Sequence, residues 1–194
     1  MDPQGRKIYH SIGGAALLSV YFILGREPAL LFYGVLFAVV LVLDIVRLKV
    51  PAMNRFVFER FGSIIREREG KRLTGTPPYL LGIGLSFFLF SPEVAAAGVC
   101  FLAFGDVAAA IIGQRFGRTK IWGKSLEGTA AFIVAATTAG FLLHLFGIGL
   151  APWIMLTGAL VAAVVELLPI PVNDNLVIPV VSGGVMELLL RLAA

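Results

Sequence analysis

GDVAAAIIGQRFGRTKIWGKSLEGT, Gly105 to Thr129, is the stretch on which the fold turns. It starts as an apolar helical run that carries an acid, Asp106, and then breaks into a basic loop punctuated by Gly117 and Gly123. Lys124, Ser125 and Glu127 open a second apolar run. Polar chemistry between two such runs implies two helix ends meeting at a membrane surface. The composition agrees: 58% of the 194 residues are apolar and the mean hydropathy is +0.92, beyond the roughly half-apolar usage of soluble domains.

Outward from this stretch, apolar runs lie near Ser11–Leu24, Ala29–Val46, Tyr79–Phe90, Val94–Ile112, Thr129–Phe146, Pro152–Leu168 and Leu176–Leu190. A run of about 18 or more residues can cross a bilayer, and the first, third and last of these are short. The pattern predicts an all-α, polytopic bundle of about seven transmembrane helices, six or eight being the alternatives. Short loops leave no room for a separate soluble unit, so residues 1–194 read as one integral membrane domain.

Loop charge supplies an independent test. With the N-terminus inside, every Lys and Arg except Arg26 and Arg191 falls on the cytoplasmic side, which predicts an N-in, C-out topology. The Gly105–Thr129 stretch, the Arg55–Thr76 loop and the Val172–Asn175 loop then share that face. The net charge of +4 comes with no basic or acidic tail, so a nucleic-acid partner is not expected. Between the second and third runs, Met53, Phe56, Val57, Phe61, Ile64 and Ile65 follow helical spacing, with Arg55, Arg60 and Arg66 elsewhere. This predicts an amphipathic helix at the cytoplasmic headgroup level, either an anchor or a gate for a lipid.

Gly105, Ala109, Gly113 and Gly117 recur every fourth residue, a small stripe that lets another helix approach closely in lipid. Asp106 lies beside it, about 10 Å deep at ~1.5 Å per residue. An acid there costs roughly 2.5–3.5 kcal/mol, so a partner helix, a metal ion or a polar cavity must offset it. GRTKIWGKS is not a P-loop, because Arg118 stands where that motif needs glycine and no strand precedes it. Gly123 could still admit a phosphate, Lys124 supplies charge, and a helix starting near Ser125 would offer free N–H groups. Glu127 is either a first-turn acid that favours the helix dipole or a metal ligand. Asn173, Asp174 and Asn175 follow Pro169 and Pro171, as a turn or as part of a site with Glu166. The lone Cys100 reads as a buried small hydrophobe and His144 as structural.

RKIYH (Arg6–His10), EREGKRLTGTPPYLLG (Glu67–Gly82), GDVAAAIIGQRFG (Gly105–Gly117), KSLEGT (Lys124–Thr129) and NDNLVIP (Asn173–Pro179) together resemble the polytopic kinases that use CTP to phosphorylate lipid alcohols. That family comprises dolichol, phytol and farnesol kinases and the CTP-dependent diacylglycerol kinase. Phosphatidate cytidylyltransferases are distant relatives, and the NDNL element favours the kinases. The resemblance implies transfer of the CTP γ-phosphate to a lipid hydroxyl, with Mg²⁺. It implies catalytic roles for Asp106, Lys124, Glu127 and Asp174, with Asp106, Glu127 and Asp174 holding the metal. Gly105, Gly117, Gly123, Lys124, Ser125, Asn173 and Asn175 would bind the nucleotide. His10, Arg66, Arg72 and Thr74 would meet phosphate or lipid headgroup. Expected partners are CTP, the lipid alcohol and membrane lipids, and a homo-oligomer is compatible. The compact length suggests a prokaryotic plasma-membrane protein, or an endoplasmic-reticulum one if eukaryotic, with its site facing the cytoplasm. The alternatives are CDP-lipid synthesis and, from another class, a small ion-coupled transporter.

Overall fold

A computed structural model of the chain describes residues 3–193, and each apolar run forms a helix. In order these are α1 (Pro3–Leu24), α2 (Arg26–Lys49), α3 (Pro51–Phe61), a 3-10 turn (Glu67–Lys71), α4 (Thr76–Leu89), α5 (Pro92–Cys100) and α6 (Asp106–Phe116). A hairpin of β1 (Lys120–Ile121) and β2 (Lys124–Ser125) leads into α7 (Leu126–Leu145), α8 (Pro152–Leu167) and α9 (Asp174–Ala193). A π-helical turn, Phe101–Gly105, joins α5 to α6 as one rod. Among the described residues five segments are long and apolar enough to cross a membrane: Gly5–Leu24, Arg26–Lys49, Pro92–Phe116, Leu126–Leu145 and Asp174–Ala193. α4 and α8 are shorter apolar helices.

Hydropathy misplaced several boundaries for one physical reason. A helix continues past its apolar run when its next turns hold polar side chains that face a cavity. α1 therefore starts at Pro3 and carries Arg6, Lys7 and His10, while α9 starts at Asp174. Asn173 opens α9, its carbonyl accepting from Leu176 and Val177 N–H groups at 2.9 and 3.2 Å. The amphipathic run is shorter than its spacing implied. α3 ends at Phe61, and Ile64 and Ile65 lie in the turn beyond Gly62.

The rod of α5 and α6 runs through the middle of the bundle. Every residue from Val94 to Cys100 is buried, and so are Phe101, Leu102 and Ala103. Small residues make this possible. A Cβ on Gly105 would lie 2.8 Å from the Phe132 ring, and one on Gly128 would lie 2.9 Å from the Ala109 carbonyl oxygen. A Cβ on Gly113 would meet Ser125 Oγ at 2.9 Å. The stripe read from the sequence thus faces the first turns of α7, and the two helices pack backbone to backbone. π-turns of this type shift the helical register and recur beside functional groups, and Asp106 is the first residue after this one.

The two-stranded hairpin was not anticipated by an all-helical reading. Lys120 pairs with Ser125 and Ile121 with Lys124, around a two-residue turn. Trp122 and Gly123 both have positive φ, 49° and 85°, as a type I′ turn requires. Gly123 is needed for that angle, since a Cβ there would meet no protein atom within 4 Å.

Gly128→Ala should overpack the α6–α7 contact and lower stability by about 1–3 kcal/mol. Gly34→Ala in α2, where a Cβ meets nothing within 4 Å, should leave stability unchanged or raise it by up to about 1 kcal/mol. Thermal unfolding in detergent micelles separates the two outcomes.

Candidate active site

One end of the bundle collects polar side chains from six elements, and Lys124 is at their centre. Its ammonium lies 3.0 Å from Asp174 Oδ2 at the start of α9 and 3.2 Å from Glu166 Oε1 at the end of α8. It also donates to the Glu166 carbonyl oxygen. Burial opposes the Lys124 charge, but the hydrogen bond and charge of Asp174, with Glu166 behind it, outweigh that and hold its pKa above the ordinary lysine value. Lys124 is therefore charged throughout the physiological range.

Asp106 borders three adjoining cavities, of ≈ 560, 240 and 280 Å³, and Arg66 borders the same three. The largest opens between α1, α6 and the segment after α3, with Arg6, Lys7 and His10 in its wall. The second is closed by the Leu168–Asn175 loop, and the third by Gly113, Lys120, Lys124, Ser125 and Glu166. Among the described residues the Asp106 carboxylate makes no hydrogen bond or ion pair, although Arg6, Lys124 and Arg66 attract it and Asp174 repels it. An acid inside a membrane helix is thus aimed at a polar cavity, which is the third of the ways to offset its cost.

The expected site residues do not all converge. Asp106, Lys124, Asp174, His10 and Arg66 do, with Gly123, Ser125, Asn173 and Asn175 along the cavity walls. Glu127 does not: both its carboxylate oxygens accept from the Thr119 N–H, at 3.1 and 3.3 Å, which pins the loop before the hairpin. Glu166 stands beside Lys124 in its place. The α7 N-terminus is not open to an anion as expected. Its Leu126 N–H bonds Thr119 O, and its Gly128 N–H bonds Ser125 Oγ at 3.1 Å, so Ser125 is a helix cap. Gly105 and Gly117 serve packing, Gly105 on Phe132 and Gly117 on Ser125. Asn173 Oδ1 accepts from the Asn175 N–H, and the Asn175 amide donates to Gly75 O at 3.0 Å, tying α9 to the start of α4.

His10 is buried, with its ring centroid 4.7 Å from that of Tyr79, and Tyr79 Oη donates to the His10 carbonyl at 2.7 Å. Thr74 is also buried, and its N–H and hydroxyl reach Asp44 Oδ2 at 2.6 and 3.2 Å. The Arg72 side chain is exposed and lines none of these three cavities, while its carbonyl accepts from Arg47.

Asp44 and Arg47 were missed by the sequence reading. Both are almost fully buried in α2, and they form an ion pair with each other. Arg47 also donates to Asn54 Oδ1 at 2.9 Å, Glu69 O at 3.0 Å and Arg72 O at 2.8 Å, and Asn54 donates to Gly70 O at 3.0 Å. This network clamps the 3-10 turn onto α2 and α3 and so holds the segment that brings Arg66 to Asp106. The signal was available: an acid and an arginine three residues apart within an otherwise apolar span. Arg6 was read as a topology marker and as the start of the RKIYH motif, without a site role of its own, yet it borders two of the three cavities and its Nη1 is buried without a hydrogen-bond partner among the described residues.

Among the described residues no three His, Cys, Asp or Glu side chains come together to hold a metal ion by themselves. Magnesium does not require this, since one or two carboxylates suffice when phosphate oxygens and waters complete the octahedron. Asp106, with no hydrogen bond or ion pair among the described residues, and Asp174 across the same cavities are donors of that kind. With Arg6, Arg66, Lys120 and Lys124 near them, the end of the bundle can hold a polyphosphate.

Comparison with known proteins points the same way. The CTP-dependent diacylglycerol kinase 1 of Schizosaccharomyces pombe is 30% identical over 162 residues, covering 76% of this chain and 74% of the relative. Its namesake in Saccharomyces cerevisiae is 28% identical over 212 residues, covering 96% of this chain and 73% of the relative. The phytol kinase of Synechocystis is 36% identical over 128 residues, covering 60% and 55% of the two chains. No family model matches the chain, and no solved structure matches it.

Arg47→Met would leave Asp44 buried without its partner, a loss of about 3–5 kcal/mol when one member of a buried pair is removed. Hydrogen exchange should show the Glu67–Lys71 turn opening before the remainder of the chain.

Proposed function

Because this chain belongs to the CTP-dependent lipid-alcohol kinases, we propose that it transfers the γ-phosphate of CTP to the hydroxyl of a membrane lipid alcohol: a diacylglycerol, an isoprenoid alcohol such as phytol, or a polyprenol. The observation that carries this reading is Asp106, an acid within a membrane helix that borders a cavity rimmed by Arg6, Lys7 and Arg66. A soluble triphosphate needs that basic entrance, and a lipid hydroxyl can reach the acid only from the hydrocarbon.

Phosphoryl transfer demands positioning and charge neutralisation more than covalent help from the protein. The lipid oxygen bonds the γ-phosphorus, the bond to the β-phosphate oxygen breaks, CDP leaves, and the hydroxyl proton passes to a nearby acid or water. Arg6, Arg66 and Lys120 take the phosphate charge. Lys124 fixes Asp174 and Glu166 and adds its own charge to the cluster. Magnesium, when bound, would neutralise phosphate oxygens, with Asp106 and Asp174 as its protein ligands. Glu127 acts indirectly, by holding the loop that precedes the hairpin.

The chain is an integral membrane protein. Within this reading it is one domain in which α4 and α8 cross the membrane along with the five longer spans. Its orientation is N-in and C-out, and the site faces the cytoplasm. α3 lies at the headgroups, since none of its residues is buried and Phe56 and Phe61 are at least half exposed.

Purified protein given CTP labelled in the γ-phosphate, Mg²⁺ and a panel of lipid alcohols should yield a labelled lipid phosphate and CDP. Pyrophosphate with a CDP-linked lipid would establish cytidylyl transfer instead. Asp106→Asn should lower kcat by about 100-fold or more, as loss of a group acting on transition-state charge does, while the protein keeps its thermal unfolding. EDTA should abolish turnover and Mg²⁺ restore it; activity surviving chelation would remove the metal from the mechanism.

A further inference from the structure

A second concavity, of ≈ 510 Å³, lies outside the polar site, between α1 and α7 with the π-turn as its floor. Ala15 and Leu18 of α1, Phe104 and Cys100 of the central rod, and Ala135 and Leu142 of α7 form its walls. Its polar atoms are spent within their own helices: Ser19 Oγ donates to Ala15 O and Thr138 Oγ1 to Val134 O, both at 2.8 Å. Apart from the Cys100 thiol, hydrocarbon is what is left to face an occupant. The size is that of ligand cavities, about 300–1,000 Å³.

The groove and the largest polar cavity have no lining residue in common, but α1 and the central rod border both. Phe104 precedes Asp106 by about 3 Å of helical rise, and Ala15 follows His10 by about 7.5 Å. Exposed Phe104 lines the apolar groove just two residues before Asp106, which with Val107 and His10 lines the largest polar cavity. A molecule filling both must have a long apolar chain ending in a small polar group.

We propose that this groove holds the hydrocarbon chain of the lipid alcohol, so that Ala135, Leu142 and Phe104 set chain preference while the hydroxyl lies at Asp106. This rests on the kinase reading above. Chain selectivity then resides in α7 and the π-turn, with α1 as the facing wall, apart from the residues that handle phosphate. Small residues at 15, 135 and 139 keep the groove open, and bulk at any of them shortens it.

The test compares dioleoylglycerol with dioctanoylglycerol, or geranylgeraniol with geraniol, according to which class the wild-type protein phosphorylates. Ala135→Phe should lower the long-to-short ratio of kcat/KM by about tenfold, the scale at which a pocket discriminates small changes in apolar fit. Val134→Phe, at a neighbouring position that is 67% exposed and outside the groove, should leave the ratio unchanged. A diazirine at the end of the alcohol's chain should label the Ala135–Phe146 segment and be competed by unlabelled alcohol, a readout that does not depend on any variant folding. An unchanged ratio in Ala135→Phe, or labelling spread over lipid-facing α2 without competition, overturns the groove and leaves the kinase reading standing. Failure of the wild-type protein to phosphorylate any lipid removes the premise itself.

Discussion

The ammonium of Lys124 is the contact on which the polar end of this bundle depends. It approaches the Asp174 carboxylate, the Glu166 carboxylate and the Glu166 carbonyl, and so joins the start of α7 to the end of α8 and the start of α9. Two carboxylates so close together and half withdrawn from water would repel each other without a cation between them. With Lys124 in place, the Leu168–Asn175 loop is held against the central rod, and the cavities around Asp106 acquire their walls. The hairpin serves that end, because its type I′ turn directs Lys124 inward while Trp122 stays outside.

Asp106 is placed by a different constraint, the close packing of α6 on α7. Gly105, Gly113 and Gly128 have no room for a side chain, so the helices meet at backbone distance and the residues beside the stripe are fixed in direction. The π-turn immediately before Asp106 changes the register at that point. An acid within this helix is tolerable because one side faces polar cavities bordered by cations, while the rod behind it, Val94 to Gly105, is apolar. The Asp44–Arg47 network does for Arg66 what the glycines do for Asp106. It secures an otherwise loosely packed turn through carbonyl groups rather than through hydrophobic contact. Three separate devices thus converge on one volume.

Much of this was legible in the chain itself. Apolar runs longer than soluble helices need, with polar loops between them, determine a helical membrane bundle, since backbone groups in lipid must be satisfied within each segment. The glycine stripe announced a close helix contact, and Asp106 announced itself as a charge that a partner helix, a metal ion or a polar cavity had to offset. Five ordered motifs carried the family resemblance that the relatives support. Composition could not reveal where helices begin, because Arg6, Lys7, His10 and Asp174 are polar yet helical. Nor could it tell Ser125 as a cap, Asn175 as a tie to Gly75 or Glu127 as a pin for Thr119 from residues that would bind a nucleotide, since each of these roles uses the same side-chain chemistry.

The sequence by itself determined that the chain is a set of apolar helices, and the identity of the charges that had to be accounted for. Only the tertiary structure decided which charges meet. Glu166 and Asp174 reach Lys124 from residues 42 and 50 positions away, and Asn175 reaches Gly75 across 100. Local pattern carries no record of such distances, because helical periodicity tells which face a residue occupies and says nothing of which helix stands opposite. That choice belongs to the packing of the whole bundle, where the fit of glycines against rings and carbonyls selects one arrangement and the polar residues at its end fall together as a consequence.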